Sequence, residues 1–197
     1  MNQPPLPAVR WRMPDFGVVK VNVNGFFTED PFPNGNVSGV GVVIHDHRGK
    51  IVSMFAGSLG IENQRVNEHY AMFEGLVRAY WEREDVVELE ADNVAAYWEW
   101  TNSMVHGVLD ECQFIVQQLN QREADGNLVL TKRPIDEDSN ALARYLARHG
   151  AENWKSMICN EEPFGRISEL WSLDMGLGLI GGLFQIVLQN DLIPEEW

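Results

Sequence analysis

The stretch that most constrains the fold is residues 18–25, which read Val-Val-Lys-Val-Asn-Val-Asn-Gly. Valines alternate with polar residues, and this period of two is typical of a strand with one buried and one polar face. The stretch ends at Asn24, and Gly25 lets the backbone turn away after it. A polar side chain at that point is expected at the mouth of a sheet, where ligands bind in open α/β folds.

Composition favours a globular protein with one core. The chain has 197 residues, of which 45% are hydrophobic and 22% charged, so it is long enough for one domain and an appendage. Its formal net charge is -14. Because nucleic-acid affinity comes largely from Lys and Arg that replace counterions on phosphates, this charge disfavours a nucleic-acid partner.

No stretch of the sequence reaches the ~18 apolar residues that a membrane span needs. The first residues also lack the basic and apolar pattern of a leader. Cys112 and Cys159 are too few and too far apart for a metal knuckle, so both are expected to be buried small hydrophobes. We therefore expect a cytoplasmic or nuclear protein without a membrane contact.

Residues 39–45 and 50–56 predict a second and a third strand, joined by a tight turn. Gly39 and Gly41 have the spacing of a phosphate-binding loop, but they lie inside a strand with no helix after it. A role in packing is the better interpretation of both glycines.

A helix is predicted to begin at Asn67, a good capping residue, which places Glu68 in its first turn. Taken alone, Glu68 has the properties of a surface residue at a helix start. Residues 86–91 then predict a strand that ends at Asp92, and Asn93 follows as the cap of the next helix.

Two further helices are predicted at residues 93–101 and 108–121, and no Lys or Arg occurs from residue 93 to 121. Trp98 and Trp100 lie in the first of them. Such aromatics can stack on bases. Without accompanying cations, a place in the core or against a partner is the better interpretation.

The last predicted elements are a fifth strand at residues 128–132 and a helix from 138 to 149. Asp138 and Ser139 are expected to cap this helix, and Gly150 is expected to end it. Lys132 and Arg133 are the one basic pair that this order places near the strand ends.

These features together resemble the plant ribonuclease H-like domain, which also occurs at the end of retrotransposon-type reverse transcriptases. The hairpin Gly-x-Gly-Val-Val-Ile-x-Asp-x-x-Gly at residues 39–49 is similar to the second and third strands of that family. Glu-x-x-Ala-x-x-x-Gly-Leu-x-x-Ala at 68–79 and Arg-x-x-Asp-x-x-x-Asn-x-Leu-Ala at 133–143 are similar to two of its helical motifs. The resemblance implies an α/β, ribonuclease H-like fold, with a mixed five-stranded sheet and helices on both faces.

The resemblance also implies a site. Its catalytic positions fall on Asn24, Glu68, Asp92 and Asn140, so amides stand where the family has two of its carboxylates. Ribonuclease H chemistry needs several carboxylates around two divalent ions about 4 Å apart. Since an amide oxygen is a weak ligand for a hard cation, we expect Glu68 and Asp92 to hold Mg²⁺ or Mn²⁺ weakly or not at all.

Three segments are predicted: an N-terminal arm at residues 1–14, the ribonuclease H-like domain at 15–150, and a C-terminal extension at 151–197. The apolar residues of 161–197 are expected either to pack on the domain or to dock on a partner. The leading hypothesis is an inactive domain that binds or regulates, most readily through a protein partner. The alternatives are a metal-dependent nuclease acting on RNA in RNA/DNA hybrids and a domain that binds nucleic acid without cleavage.

Overall fold

The computed structural model describes residues 10–60, 63–81, 86–101, 129–153 and 157–159, together with the single positions 117, 121 and 124. Its strands are β1 (Val19–Phe27), β2 (Ser38–His45), β3 (Ile51–Ser58), β4 (Val86–Ala91), β5 (Val129–Pro134) and β6 (Met157–Cys159). Its helices are α1 (Gln64–Trp81), α2 (Val94–Thr101) and α3 (Ala141–Glu152), and a 3₁₀ turn (Asp138–Asn140) precedes α3.

The strands form one mixed sheet in the order β5-β4-β1-β2-β3-β6. β1 pairs antiparallel with β2 and parallel with β4, and β4 pairs parallel with β5. The predicted α/β fold and its five strands are confirmed. β6 pairs antiparallel with β3 and was not predicted, because its three residues are too few to show a period.

Helix α1 covers one face of the sheet. A Cβ atom on Gly75 would lie 2.6 Å from the Val23 side chain and 3.0 Å from that of Val21, so the helix backbone packs directly on β1. Trp100 of α2 is fully buried in the same core. The core interpretation of Trp100 is therefore confirmed, while Trp98 is half-buried.

Helix α3 covers the opposite face, against the two glycines of β2. A Cβ atom on Gly41 would lie 2.1 Å from the carbonyl oxygen of Ala143, and one on Gly39 would lie 2.3 Å from that of Ala147. The packing interpretation of these glycines is confirmed. Gly150 does not end the helix as predicted, because α3 continues to Glu152 and Gly150 packs against the backbone of Gly57.

The starts of α1 and α3 differ from the prediction. α1 begins at Gln64, and Asn63 caps it by accepting hydrogen bonds from the backbone N–H groups of the next turn. Asn67 is not the cap and donates to the carbonyl of Phe26. Because α1 begins three residues earlier than predicted, Glu68 lies in its second turn. Before α3, Asp136 accepts from the Ser139 N–H, two residues earlier than the predicted cap at Asp138. The predicted cap at Asn93 is confirmed by its hydrogen bond from the Ala96 N–H.

The polar face of β1 is buried, although its alternation predicted a half-exposed strand. Lys20 has no exposed surface, and its Nζ lies 2.7 Å from Glu90 Oε1 and 3.0 Å from Glu88 Oε1 on β4. The segment before β1 covers this face. Trp11 donates to Asn22 Oδ1, and its ring lies 4.9 Å from Lys20 Nζ.

Some predictions fall outside the described residues. They include Cys112, most of the predicted helix at residues 108–121, and the segment 161–197. The three predicted segment boundaries stay predictions, as does the location in the cytoplasm or nucleus. Among the described residues, no helix is both long and apolar enough to cross a membrane.

Candidate functional site

The predicted site residues lie at the edge of the sheet where the parallel pairing of β1 with β4 ends. β1 does not end at Asn24 as predicted, because it continues to Phe27 and stays paired with β2. The parallel register pairs Val23 with Ala91, so Asn24 and Asp92 follow as neighbours. A cleft of about 1040 Å³ opens there, lined by residues of β1, α1, α3 and the segments before α2 and α3. Among the lining residues are Asn24, Glu68, Asp92, Arg144, Tyr145 and Arg148.

Asn24, Asp92 and Asn140 form one hydrogen-bonded group. Asn24 Nδ2 donates to Asp92 Oδ1 over 3.0 Å. Asn140 is fully buried, and its Nδ2 donates to the carbonyl of Val23 over 3.0 Å, which holds the residue beside Asp92. Both amides thus act toward their neighbours as hydrogen-bond donors.

Glu68 approaches the same end of the sheet from α1. Gly25 allows this approach, because a Cβ atom there would lie 2.3 Å from the backbone of Asn67. The Gly25 N–H donates to Glu68 Oε2 over 3.0 Å, and Gln64 Nε2 donates to Glu68 Oε1 over 2.5 Å. The structure therefore brings all four predicted positions to one end of the sheet.

Burial raises the pKa of both carboxyl groups. It raises the pKa of Glu68 from 4.5 to about 8, with a further contribution from the negative charge of Asp92, and hydrogen bonds from Gly25, Asn93 and Gln64 act against it. Burial also raises the pKa of Asp92, against the hydrogen bonds of Asn24 and Asn140 and the charge of Arg144. At neutral pH Glu68 is thus mainly a neutral acid.

Arg144 is a residue of the site that was not predicted from the sequence. Its Nε lies 3.8 Å from Asp92 Oδ2, and its guanidinium also pairs with Glu137 on the segment before α3. The available signal was helical spacing, since Arg144 follows Asn140 by one turn.

The predicted basic pair does not lie at the cleft. Arg133 Nε is 3.5 Å from Glu88 Oε1 on one face of the sheet, and Lys132 Nζ is 4.4 Å from the centre of the Trp100 ring on the other. Neighbouring residues of a strand point to opposite faces, which separates the two side chains. Arg144 and Arg148 of α3 supply the cations of the cleft instead.

The side chains present do not fit a pair of divalent ions. Both Glu68 oxygens accept hydrogen bonds from the protein, and Asp92 faces an amide N–H and a guanidinium. Asn140 Oδ1 is buried and accepts no hydrogen bond from the described residues, but one amide oxygen is a weak ligand. No group of three or more His, Cys, Asp or Glu side chains within the described ranges is arranged to hold a metal.

Solved structures with a similar fold include ribonucleases H. One is RNase H1 from the halophilic archaeon Halobacterium salinarum, with 19% identity, a TM-score of 0.58, and coverage of 68% of this chain and 96% of that one. Another is the N-terminal RNase H domain of Rv2228c from Mycobacterium tuberculosis, a maltose-binding-protein fusion, with 14% identity, a TM-score of 0.59, and coverage of 68% and 94%. A third is LC11-RNase H1, isolated from compost and solved with an RNA/DNA hybrid, with 17% identity, a TM-score of 0.58, and coverage of 68% and 96%.

These likenesses establish a ribonuclease H-like fold for the chain. At such low identity they describe the fold and leave the activity to be argued from the site. No protein-family model matches the sequence, and no curated protein matches it.

Proposed function

We propose that this chain is a ribonuclease H-like domain that does not cleave nucleic acid and acts as a binding or regulatory module for a protein partner. The observation that carries the proposal is that both carboxyl groups of the site are contacted by other groups of the protein. Asp92 is hydrogen-bonded by Asn24 and faced by Arg144, and Glu68 is hydrogen-bonded by Gly25 and Gln64. The motifs at residues 39–49, 68–79 and 133–143 support a place in the plant and retrotransposon-type branch of the fold.

The chemistry of the fold explains why this arrangement argues against cleavage. Two-metal hydrolysis uses one ion to activate water and another to stabilise the leaving oxygen, and carboxylates must offset the repulsion between the ions. Here Asn24 and Asn140 supply no charge, so Glu68 and Asp92 are the two carboxyl groups left among the four family positions. Burial raises the pKa of both.

The choice of a protein partner rests on charge. A chain of net charge -14 repels a polyanion over long range, whereas proteins offer surfaces of either sign. Residues 161–197 contain apolar side chains interleaved with glycines, and they are our candidate docking segment.

A cleavage assay on an RNA/DNA hybrid, run with Mg²⁺ and with Mn²⁺, tests the proposal. We expect no cleavage by the unmodified protein with either metal. The matched variant is Asn24→Asp with Asn140→Asp, in which metal binding should tighten by calorimetry while cleavage stays feeble. Efficient cleavage by the unmodified protein would refute the proposal and support the nuclease alternative.

Nucleic-acid binding without cleavage is the second candidate, and one observation favours it. Arg144, Tyr145 and Arg148 line the cleft from consecutive turns of α3, with side chains of the two arginines 44% and 62% exposed. Cations beside an aromatic ring are a common surface for single strands. Retention on a hybrid that weakens with salt, and further with Arg148→Gln, would favour this candidate over a protein partner.

A further inference from the structure

A cationic side chain of the protein lies beside Asp92 in the cleft. Arg144 and Asp92 both line it, and Arg144 Nε is 3.8 Å from Asp92 Oδ2. The Asp92 side chain is only 5% exposed, whereas that of Arg144 is 44% exposed. A cation that bound Asp92 from the cleft would therefore be repelled by the charge of Arg144.

Arg144 also links two elements of the fold. Asp92 follows β4, Glu137 precedes α3, and Arg144 pairs with both from the first turns of α3. On the other side of the carboxylate, Asn24 Nδ2 donates to Asp92 Oδ1 over 3.0 Å. Each oxygen of Asp92 therefore has a positively polarised partner within the chain.

We propose that Arg144, together with the amide of Asn24, takes the place of a divalent cation, so that the end of the sheet is held together without metal. This inference concerns the same site as the proposed function and goes beyond it. If Arg144 replaces the cation, the stability of the fold does not depend on metal. Arg144 is then a positioning residue that keeps β4 and α3 together.

Thermal unfolding with MgCl₂, against NaCl of equal ionic strength, tests the inference. The wild-type protein should show no difference between the two salts. Asn24→Asp replaces a donor with a carboxylate beside Asp92, so we expect its Tm to fall by roughly 5 °C in NaCl and most of the loss to return with MgCl₂. In this variant the new carboxylate at position 24 and Asp92 would together bind the cation whose place the Asn24 amide takes in the wild type.

Asn22→Asp is the matched control for this variant. Asn22 lies two residues earlier on the same face of β1, and its Nδ2 donates to Glu90 Oε2 over the same 3.0 Å. The buried Glu90 lies outside the cleft, so this variant should lose stability and gain nothing from MgCl₂.

Arg144→Met removes the guanidinium and so tests its role directly. Because 44% of the Arg144 side chain is exposed, we expect this variant to fold. Removing it leaves Asp92 and Glu137 without a cation, so MgCl₂ should raise the Tm of this variant. Arg148→Met is its control, because Arg148 also lines the cleft but pairs with Glu152. It should not respond to MgCl₂.

Two outcomes would overturn the inference. One is a wild-type protein that MgCl₂ stabilises as strongly as Asn24→Asp. The other is a lack of any magnesium response in Arg144→Met, which decides the question even if Asn24→Asp fails to fold. Hybrid cleavage is measured in a separate assay, so this inference and the proposed function can fail separately.

Discussion

The Glu68 carboxyl group keeps its proton in the folded protein over a range in which the unfolded chain loses it. Burial raises its pKa to about 8, from 4.5 in an unperturbed chain. Between these values the folded state binds more protons than the unfolded state, so the free energy of unfolding falls as pH rises. For one group the slope is at most ~1.4 kcal/mol per pH unit, and this contribution is fully present below pH 4.5.

We therefore expect Glu68→Gln to flatten the pH dependence of stability between pH 5 and pH 8, roughly the window of this shift. Urea unfolding of the wild type and the variant across this window measures the difference. Glu29→Gln, at an exposed position, is the control and should follow the wild type. Parallel curves for wild type and Glu68→Gln would contradict the raised pKa.

Lys20 is the second residue whose environment is unusual. Its ammonium group is fully buried between Glu88 and Glu90. Lys20→Met leaves both carboxylates without this partner, so we expect it to cost about 3–5 kcal/mol of stability. Lys50→Met, at an exposed position, should cost almost nothing in the same denaturant titration. If the double variant Lys20→Met with Glu90→Gln is more stable than Lys20→Met alone, the unpaired charge of Glu90 is the cause of the loss.

At the scale of elements, the contact between β2 and α3 decides how closely the helix covers the sheet. The Cα atoms of Gly39 and Gly41 meet the helix backbone with no side chain between them. This contact also places Asn140 and Arg144, which come at the start of the same helix, beside Asp92. The geometry of the site therefore depends on two glycines that lie outside it.

We expect Gly41→Ala to destabilise the protein by ~3 kcal/mol, because its Cβ would lie 2.1 Å from the Ala143 carbonyl oxygen and α3 would have to shift. Gly35→Ala is the control. Gly35 has a φ of +81° and no atom within 4 Å of an added Cβ, so only backbone strain of about 1–2 kcal/mol applies. Equal losses in chemical unfolding would contradict the close packing of α3 on β2.

At the scale of the whole molecule, the sheet continues past the end of the family resemblance. The motifs are complete by Gly150, yet α3 runs to Glu152 and β6 pairs with β3. The segment that follows β6 is the one we propose as a docking segment. Two truncations separate these contributions.

Truncation after Asn160 should leave a domain that unfolds cooperatively with near wild-type stability, because it keeps every described strand and helix. It should change the oligomeric state or partner binding, which light scattering and pull-down experiments measure. Truncation after Gly150 is the comparison and should be clearly less stable, since it removes β6 and the end of α3. An unfolded product of the first truncation would show that residues 161–197 belong to the core.

The sequence by itself determined the order and type of most elements. These predictions rest on local patterns, namely the alternation in β1, the glycines of β2 and the strand that ends at Asp92. A local pattern can be recognised in the sequence without knowing which distant residues pack against it. The spacing of family motifs also placed Asn24, Glu68, Asp92 and Asn140 at one end of the sheet. Helix starts were less well predicted, because Asn63 and Asn67 are equally good caps and only packing selects between them.

Only the tertiary structure decided what surrounds these residues. Lys20 and Glu90 are 70 positions apart in sequence, and Asn24 and Asp92 are 68 apart. The register of the parallel pair β1 and β4 brings them together. The approach of Arg144 to Asp92 depends on how closely α3 packs on β2. A sequence shows which residues are charged but not how far apart or how deeply buried they are. The raised pKa of Glu68 and the contacts of Asp92 depend on those distances and on that burial.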